Sequence, residues 1–347
     1  MKVAIVGDLH IGLRRDDEWT ARNQLRFFEF FQSECKKRDV KATIQTGDWF
    51  DVRSGITQAT IRMSRTTLVP IFQSIGPTYV LVGNHDMHLR ETITPNSCRE
   101  VLGHYDQFTI IDEAQTITID GVTIDLIPWI CRENRDTTAK FIEQSTSDIC
   151  VGHFELAGFY YYTGLKSEGS KSDFLAKYKQ VWSGHFHCQS EHDNIKYLGT
   201  PYTLTLGDAN DSRGFWIFDT VTRELEYIEN PDCWHKKIYF NADTFNIKTI
   251  DDLKDRAVRI VVEKRSSETR KIDFDVISER IAAVAKTLDV IDQGTEFSLD
   301  DEDGTIEVED TKSFVDTYID ELDESDTIKA RCKYMFGALQ REALELE

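Results

Sequence analysis

Short apolar runs recur along the first 230 positions, each brief enough for a strand and too short for a helix. They are "KVAIVGD" (2–8), "ATIQTGD" (42–48), "TYVLVGN" (78–84), "VTIDLIP" (122–128), "DICVGH" (148–153), "KQVWSGH" (179–185), "GFWIFD" (214–219) and "ELEYIEN" (224–230). Many end in glycine followed by a polar or ionisable residue. Between the first two lies a helical stretch, about 18–38, with Leu25, Phe28 and Phe31 on one stripe and Phe27 and Phe30 widening it. The pattern predicts mixed α/β, with function at the strand ends.

The character changes near residue 232. "KKIYFN" and "AVRIVVE" read as strands, and "DFDVISERIAAVAKTLD" (273–289) reads as a helix with Ile277, Ile281, Val284 and Leu288 at helical spacing. An acidic stretch, "DDEDGTIEVED" (300–310), precedes two helix candidates. The first carries Phe314, Tyr318, Ile319 and Leu322; the second carries Ile328, Cys332, Met335, Phe336 and Leu339. Such short amphipathic helices either fold back or dock on a partner, helix to helix. The expected layout is a main domain over 1–230, a small α+β capping domain over 231–298 and a linker with docking helices over 299–347.

At 347 residues the chain suits about two domains. No apolar run approaches the ~20 residues of a membrane span. The start, "MKVAIVGDLHIG", meets Asp8 too early for a signal-peptide core and reads as a first strand. Seven cysteines, an odd number with no C-x-x-C pair, imply free thiols in a reducing cytoplasm. Net charge is -20, which looks wrong for a nucleic-acid protein. Residues 289–326 hold sixteen Asp/Glu and one lysine, so the other 309 residues sum to only -5. The acidity is local and does not exclude DNA elsewhere. Arg256, Arg259, Lys264, Arg265, Arg270 and Lys271 form the most basic part of the tail half, either a solvated face or a surface for DNA phosphates.

The strand ends collect unusual chemistry. "GDLH" gives Asp8 and His10, "TGDWFD" gives Asp48, "GNHD" gives Asn84, His85 and Asp86, "GHFE" gives His153, and "SGHFH" gives His185 and His187. One histidine at a strand end is ordinarily structural. Five of the chain's nine in such places are not, because burying so many ionisable groups together is costly without metal. In "WSGHFH" an extended backbone would aim His185 and His187 to one side and Phe186 to the other. Asp8, His10, Asp48, Asn84, His153, His185 and His187 are too many ligands for one ion and a natural set for two, with Asp48 bridging. Two ions ~3.5–4 Å apart suit in-line displacement at phosphorus. Nitrogen and oxygen donors without thiolate favour Mn²⁺, Fe or Zn²⁺. His85 is left over as a general acid or a cation on the phosphate, with Asp86 placed to orient it.

The series D-x-H, G-D, G-N-H-D, G-H, G-H-x-H over about residues 1–190 resembles the calcineurin-like metallophosphoesterases. The resemblance implies a four-layer α/β/β/α sandwich. It also implies that His185 joins Asn84 and His153 on one ion, that His187 joins Asp8 and His10 on the other, and that Asp48 bridges. "GDWFD" lacks the tyrosine of purple acid phosphatases and differs from the protein phosphatase pattern. It is more similar to SbcD-type DNA nucleases, in which a small cap and C-terminal helices follow the phosphoesterase fold. That likeness implies Mn²⁺-dependent 3′-exonuclease and endonuclease action on DNA, docking on the coiled coil of an SbcC-like ABC-type ATPase, and a homodimer. "ITQATIRMSRTTLVPIFQSI" (56–75) is either a dimer helix or core. Asp51 and Arg53 are candidate DNA contacts, as are Arg259, Lys264 and Arg265 on the cap; some relatives carry a histidine where this chain has Asp51. A phosphatase or small-molecule phosphodiesterase on the same fold explains the motifs but not the cap or tail. A non-catalytic scaffold would have eroded ligands, and all seven are intact.

Overall fold

Strands β1 (Lys2–Val6), β2 (Val40–Gln45), β3 (Thr78–Leu81) and β4 (Phe108–Ile111) lie side by side and parallel in the computed structural model. The structure describes residues 1–162, 165–267 and 272–292, and residues 319, 329, 331–333 and 335–337. A second sheet contains β5 (Gln115–Ile119), β6 (Val122–Ile127), β7 (Ile149–His153) and β10 (Gln180–Gly184). A short hairpin of β8 (Tyr160–Tyr162) and β9 (Leu165–Lys166) stands apart. The second sheet is completed by β11 (Ser190–His192) and β12 (Ile195–Tyr197). The first is completed by β13 (Gly214–Asp219) and β14 (Leu225–Glu229), which gives the order β14-β13-β1-β2-β3-β4. The second runs β11-β12-β10-β7-β6-β5.

The central strands are apolar on both faces because both faces are covered. Val3 and Ile5 of β1 enter the seam between the sheets, where they meet Ile124 and Leu126 of β6 and Val151 of β7. Ala4 and Val6 enter the opposite cluster, beneath the helices. The helix Glu18–Lys37 begins at Asp17, whose carboxylate accepts the Thr20 amide at 2.9 Å. Phe27, Phe28 and Phe31 lie buried on its inner face, with Phe31 packed edge-on to Phe215 of β13 at 4.8 Å. On the far side of the second sheet, Ile142 of the helix Arg135–Gln144 packs with Cys150 and Val181. The order of layers is therefore helix, sheet, sheet, helix.

The segment over 56–75 forms the helices Gln58–Met63 and Val69–Ile75, joined by a π turn at Ser64–Leu68. The π turn lies just ahead of Pro70, which has no N–H to donate. Leu68 and Phe72 are core, and Ile61, Ile71 and Ile75 lie partly buried against it.

A three-stranded parallel sheet follows, β15 (His235–Asn241), β16 (Ala257–Lys264) and β17 (Thr287–Asp292), covered by the helix Phe274–Ala282. This corrects the helix expected over 273–289. Leu288 pairs with Val258 across the sheet, so its helical spacing to Ile281 is coincidental; cross-strand pairing has outweighed local periodicity. Residues Met1–Gly294 form one compact unit and Thr295–Glu347 another. Trp19 donates its indole N–H to the Asp255 carbonyl at 3.0 Å, which ties the long helix to the small sheet. Of the candidate docking residues, Phe336 lies in a helical stretch, whereas Phe314, Tyr318, Leu322, Ile328 and Leu339 lie outside the described residues. No helix among the described residues is long and apolar enough to cross a membrane.

Ile44 sits fully buried in the seam between the sheets. Ile44→Ala should lower the unfolding free energy of the metal-free chain by about 2–5 kcal/mol, read by denaturant titration.

Candidate metal centre

Parallel neighbours finish at the same sheet edge. β1, β2 and β3 therefore deliver Asp8 with His10, Asp48, and Asn84 with His85 to one place. β7 and β10 are parallel neighbours in the second sheet, and they deliver His153, His185 and His187. Three of these residues adopt positive φ, His10 at 45°, Asp48 at 54° and His185 at 84°. Left-handed backbone at non-glycine residues costs of order 1–3 kcal/mol each, so the surroundings hold these turns against their preference. The strand alternation expected across "WSGHFH" therefore fails at His185, where extended backbone ends. Phe186 does turn inward, and its ring packs on Tyr197 at 4.5 Å.

The side chains gather into two groups, Asp8 with His10 and His187, and Asp48 with His153 and His185. Within each group the potential ligand atoms all lie within 4.8 Å of one another. Asn84 joins the second, its Oδ1 lying 3.0 Å from both His153 Nε2 and His185 Nδ1. Asp48 Oδ2 lies 3.2 Å from His153 Nε2. The division between His185 and His187 is the one implied by the motif resemblance.

The residues fit a pair of divalent ions. Asp8 Oδ1 and His10 Nε2 are buried, and each lacks a hydrogen-bond partner among the described residues. Leaving such atoms bare is costly unless something binds them. The remaining ring nitrogens are braced from behind. His10 Nδ1 meets Asp51 Oδ1 at 3.1 Å, and His153 Nδ1 meets the Thr46 carbonyl at 2.8 Å. Each brace fixes the ring and leaves Nε2 as the ligand atom. Five of the chain's cysteines are buried and none belongs to either group.

Electrostatics follow from crowding. Burial raises Asp8 to about 7, with Asp48 adding to it and His153 and His10 opposing it. Burial pulls His10 down, but the hydrogen bond and charge of Asp51, with Asp48 and Asp8, carry it up to about 9. His153 also reaches about 9, where Asp48 and Asp8 outweigh burial. Asp48 is buried yet held well below the usual carboxylate range by His153, His85 and His10. His187 falls to about 3 through burial and the His10 charge, and burial pushes His185 well down. Without metal, two imidazolium ions offset the carboxylates.

The motif glycines make room for one another's ligands. A Cβ on Gly83, in "GNHD", would lie 2.1 Å from Asp48 Oδ1. On Gly47, in "GD", it would lie 2.3 Å from His153 Nδ1, and φ there is +107°. Each glycine thus serves the ligand of a neighbouring strand more than the ligand that follows it.

Asp86 takes a different part from the one expected. Its carboxylate accepts the backbone amides of Gly83 at 2.9 Å, Phe50 at 3.0 Å and Trp49 at 3.3 Å. It clamps the β2 and β3 loops together and does not hold the His85 ring. That ring is held by the Asp51 carbonyl, 2.6 Å from Nδ1, while the His85 amide donates to Asp48 Oδ1 at 2.8 Å. Asp51, picked out as a candidate DNA contact, thus braces His10 with its side chain and His85 with its backbone. Arg53 donates Nε–H to the Asn84 carbonyl at 2.8 Å. On the small sheet, Arg259 pairs with Asp289, Lys264 with Asp243, and Arg265 with Asp292. These pairs fit the solvated-face reading, since a phosphate there would compete with an acid at each position.

Sequence reasoning missed Arg213. Its guanidinium is 1% exposed, donates to the His187 carbonyl and to Thr200 Oγ1 at 2.8 Å, and pairs with Asp208 at 3.2 Å. It fixes the backbone of a ligand from β13, and no motif marks it. Trp129, whose ring lies 5.0 Å from that of His185, was also passed over.

The calcineurin-like phosphoesterase family model matches residues 1–189. Exonuclease subunit 1 of Enterobacteria phage T4 is 39% identical over 325 residues, 93% of each chain. Putative phosphoesterase 244L of Invertebrate iridescent virus 6 is 22% identical over 61% of this chain and 73% of its own length. Putative phosphoesterase 078R of Invertebrate iridescent virus 3 is 26% identical over 51% of this chain and 50% of its own.

Gly83→Ala should displace Asp48 and weaken divalent-metal binding about 10–100-fold, as loss of ligand support does elsewhere; calorimetric titration of the metal-free chain reads this. The same titration tests the proton balance. Imidazoles raised to about 9 are protonated at neutral pH and must lose that proton to ligate. Metal uptake at pH 7 should therefore release about two protons from His10 and His153 and part of a third from Asp8, measured across buffers of different ionisation enthalpy. Affinity should strengthen as pH rises toward 9 and weaken in acid.

Proposed function

We propose that this chain, which belongs to the calcineurin-like phosphoesterase family, is a DNA nuclease that cuts phosphodiesters at a pair of divalent ions, most favourably Mn²⁺. It acts from 3′ ends and, in a second mode, internally. It serves as the nuclease subunit beside an SbcC-like ABC-type ATPase in recombination and double-strand-break repair. The observation that carries the chemistry is the pair of ligand groups at one edge of the sandwich, with His85 held beside them. Support for DNA over a phosphate monoester comes from the extent of likeness to the T4 protein, which covers 93% of each chain and so runs well past the phosphoesterase match at residue 189.

When bound, two divalent ions would neutralise the non-bridging oxygens of a phosphodiester and lower the pKa of an attacking water. The chain's own residues do the rest. Asp8, His10 and His187 would hold one ion, and Asp48, His153 and His185 with Asn84 would hold the other. A carbonyl can only accept, so His85 Nδ1 carries a hydrogen and donates it to Asp51, and Nε2, the end left for substrate, carries a proton only in the imidazolium form. In that form it donates to the leaving oxygen as general acid. Arg53, fixed on the Asn84 carbonyl, supplies a cation beside the same loop. The segment over 299–347 docks on the ATPase coiled coil. A homodimer through the 58–75 segment would use its outward residues, because Leu68 and Phe72 belong to the core.

The decisive test compares end-labelled duplex DNA with p-nitrophenyl phosphate in Mn²⁺, with and without the paired ATPase. Cleavage of DNA is expected; hydrolysis of the monoester alone would sink the nuclease reading in favour of a phosphatase. His85→Ala should keep both metals and lose about 10²–10⁴-fold in turnover. Loss of metal in that variant would refute the role given to His85. Removing residues beyond 305 should abolish co-purification with the ATPase and spare Mn²⁺-dependent cleavage.

A further inference from the structure

A cavity of about 290 Å³ opens directly beside the metal centre and shares His153 with it. Its walls are polar and apolar in about equal part, with Trp129, Phe154 and Phe174 contributing rings. Phe154 and Phe174 meet edge to face at 6.0 Å. Trp129 lies against the two ligand imidazoles, 5.0 Å from His185 and 5.9 Å from His153. The volume sits at the lower end of the ~300–1,000 Å³ typical of small-molecule sites.

The cavity is built rather than left over. The stretch around Leu156 bridges to Ser170, with the Ala157 amide donating to the Ser170 carbonyl at 2.9 Å and the Ser170 amide to the Glu155 carbonyl at 3.0 Å. Gly169 allows this approach, since a Cβ there would lie 2.4 Å from the Glu155 oxygen. Phe174 stands on a single helical turn, Ser172–Leu175, anchored by the buried Leu175.

Its charge decides what enters. Among the described residues, no lysine or arginine lines the cavity, and Glu155 contributes a carboxylate. Such a wall offers a phosphate no lysine or arginine to pair with. A nucleotide whose phosphate lies at the metal centre can fill it only with its neutral part, which is flat, aromatic and rich in hydrogen-bonding edges. Bases stack on aromatic side chains for about 1–3 kcal/mol each, and Glu155 and Ser170 offer polar partners for a base edge.

We propose that this cavity receives the nucleobase of the nucleotide being cleaved, drawn out of the duplex stack so that its phosphodiester can reach the centre. The inference rests on the nuclease reading above. An enzyme that takes one terminal nucleotide at a time would thus hold it at both ends, by its phosphate and by its base.

The test is binding, so it does not depend on turnover. The Mn²⁺-loaded full chain is titrated by calorimetry with deoxyadenosine 5′-monophosphate and with 2-deoxyribose 5-phosphate, which lacks the base. The wild type should bind the nucleotide at least fivefold more tightly than the sugar phosphate. Phe174→Leu, which keeps an apolar side chain but loses the ring, should erase most of that ratio, and Phe174→Tyr should restore it. An equal affinity for the two probes in the wild type, or a ratio unmoved by Phe174→Leu, overturns the inference. Failure of the nuclease reading would look different: the wild type would not cut DNA at all. A chain that cuts DNA yet shows no base-dependent affinity retains the nuclease function and lacks this site.

Discussion

Everything at the working end depends on a mutual neutralisation of buried charge. Asp8, Asp48 and Asp86 are nearly fully buried, as are His10 and His153. No single member is tolerable there alone, because an isolated buried charge is far more costly than a hydrogen bond can offset. In the metal-free chain the imidazolium forms of His10 and His153 answer the carboxylates, which is why both rise to about 9 while Asp48 stays well below its usual range. The cluster is a set of mutually dependent groups held by strands from two different sheets. The sandwich and the centre therefore specify each other. The sheets bring the ligands together, and the ligands, once satisfied, hold the two strand edges in register.

The supporting residues extend that logic outward. Asp86 binds three amides of two loops, Arg213 holds the carbonyl of His187, and Gly47 and Gly83 yield space to ligands from other strands. Positive φ at His10, Asp48 and His185 would relax if these braces were absent. Strain at three ligands is thus paired with unusually dense backbone capping around them. A site that must hold several donors within a few ångströms gains more from such fixed geometry than from further donors.

Much of this was legible in the chain because metal ligation is local in sequence here. Each ligand follows its strand by at most a few residues, so apolar run, glycine and ligand form one short readable unit. The seven candidate ligands followed from such units, whereas their division into two groups and the layer order came from the resemblance those units carry. What escaped was of two kinds. Arg213, Thr46 and Trp129 act through contacts far along the chain, and nothing local marks them. Asp86, expected to orient His85, and Asp51, expected to contact DNA, were misplaced for a different reason, since both lie within a few residues of a ligand and sequence alone does not say which way each turns. Only the fold decides that Asp86 turns toward amides and Asp51 toward His10. At β17, the helical spacing of Ile281 and Leu288 concealed a strand, because parallel pairing with β16 is a long-range fact.

Charge placement also constrains how a polyanion could approach. The chain carries -20, and Arg259, Lys264 and Arg265 on the small sheet are already matched by Asp289, Asp243 and Asp292. Around the centre, Asp8, Asp48, Asp51 and Asp86 lie within the same loop cluster, with Arg53 among the few cations beside them. A metal-free centre of that composition offers a phosphodiester little attraction. Two divalent ions would add four positive charges at one point and invert the local field. On this view metal occupancy governs whether the substrate phosphate is attracted at all, before it governs any chemistry. The cavity that shares His153 has no lysine or arginine in its wall among the described residues, so on the proposal above it would favour the uncharged ring of a nucleotide. Together the two features would sort a nucleotide by its parts, phosphate to the ions and base to the aromatic rings.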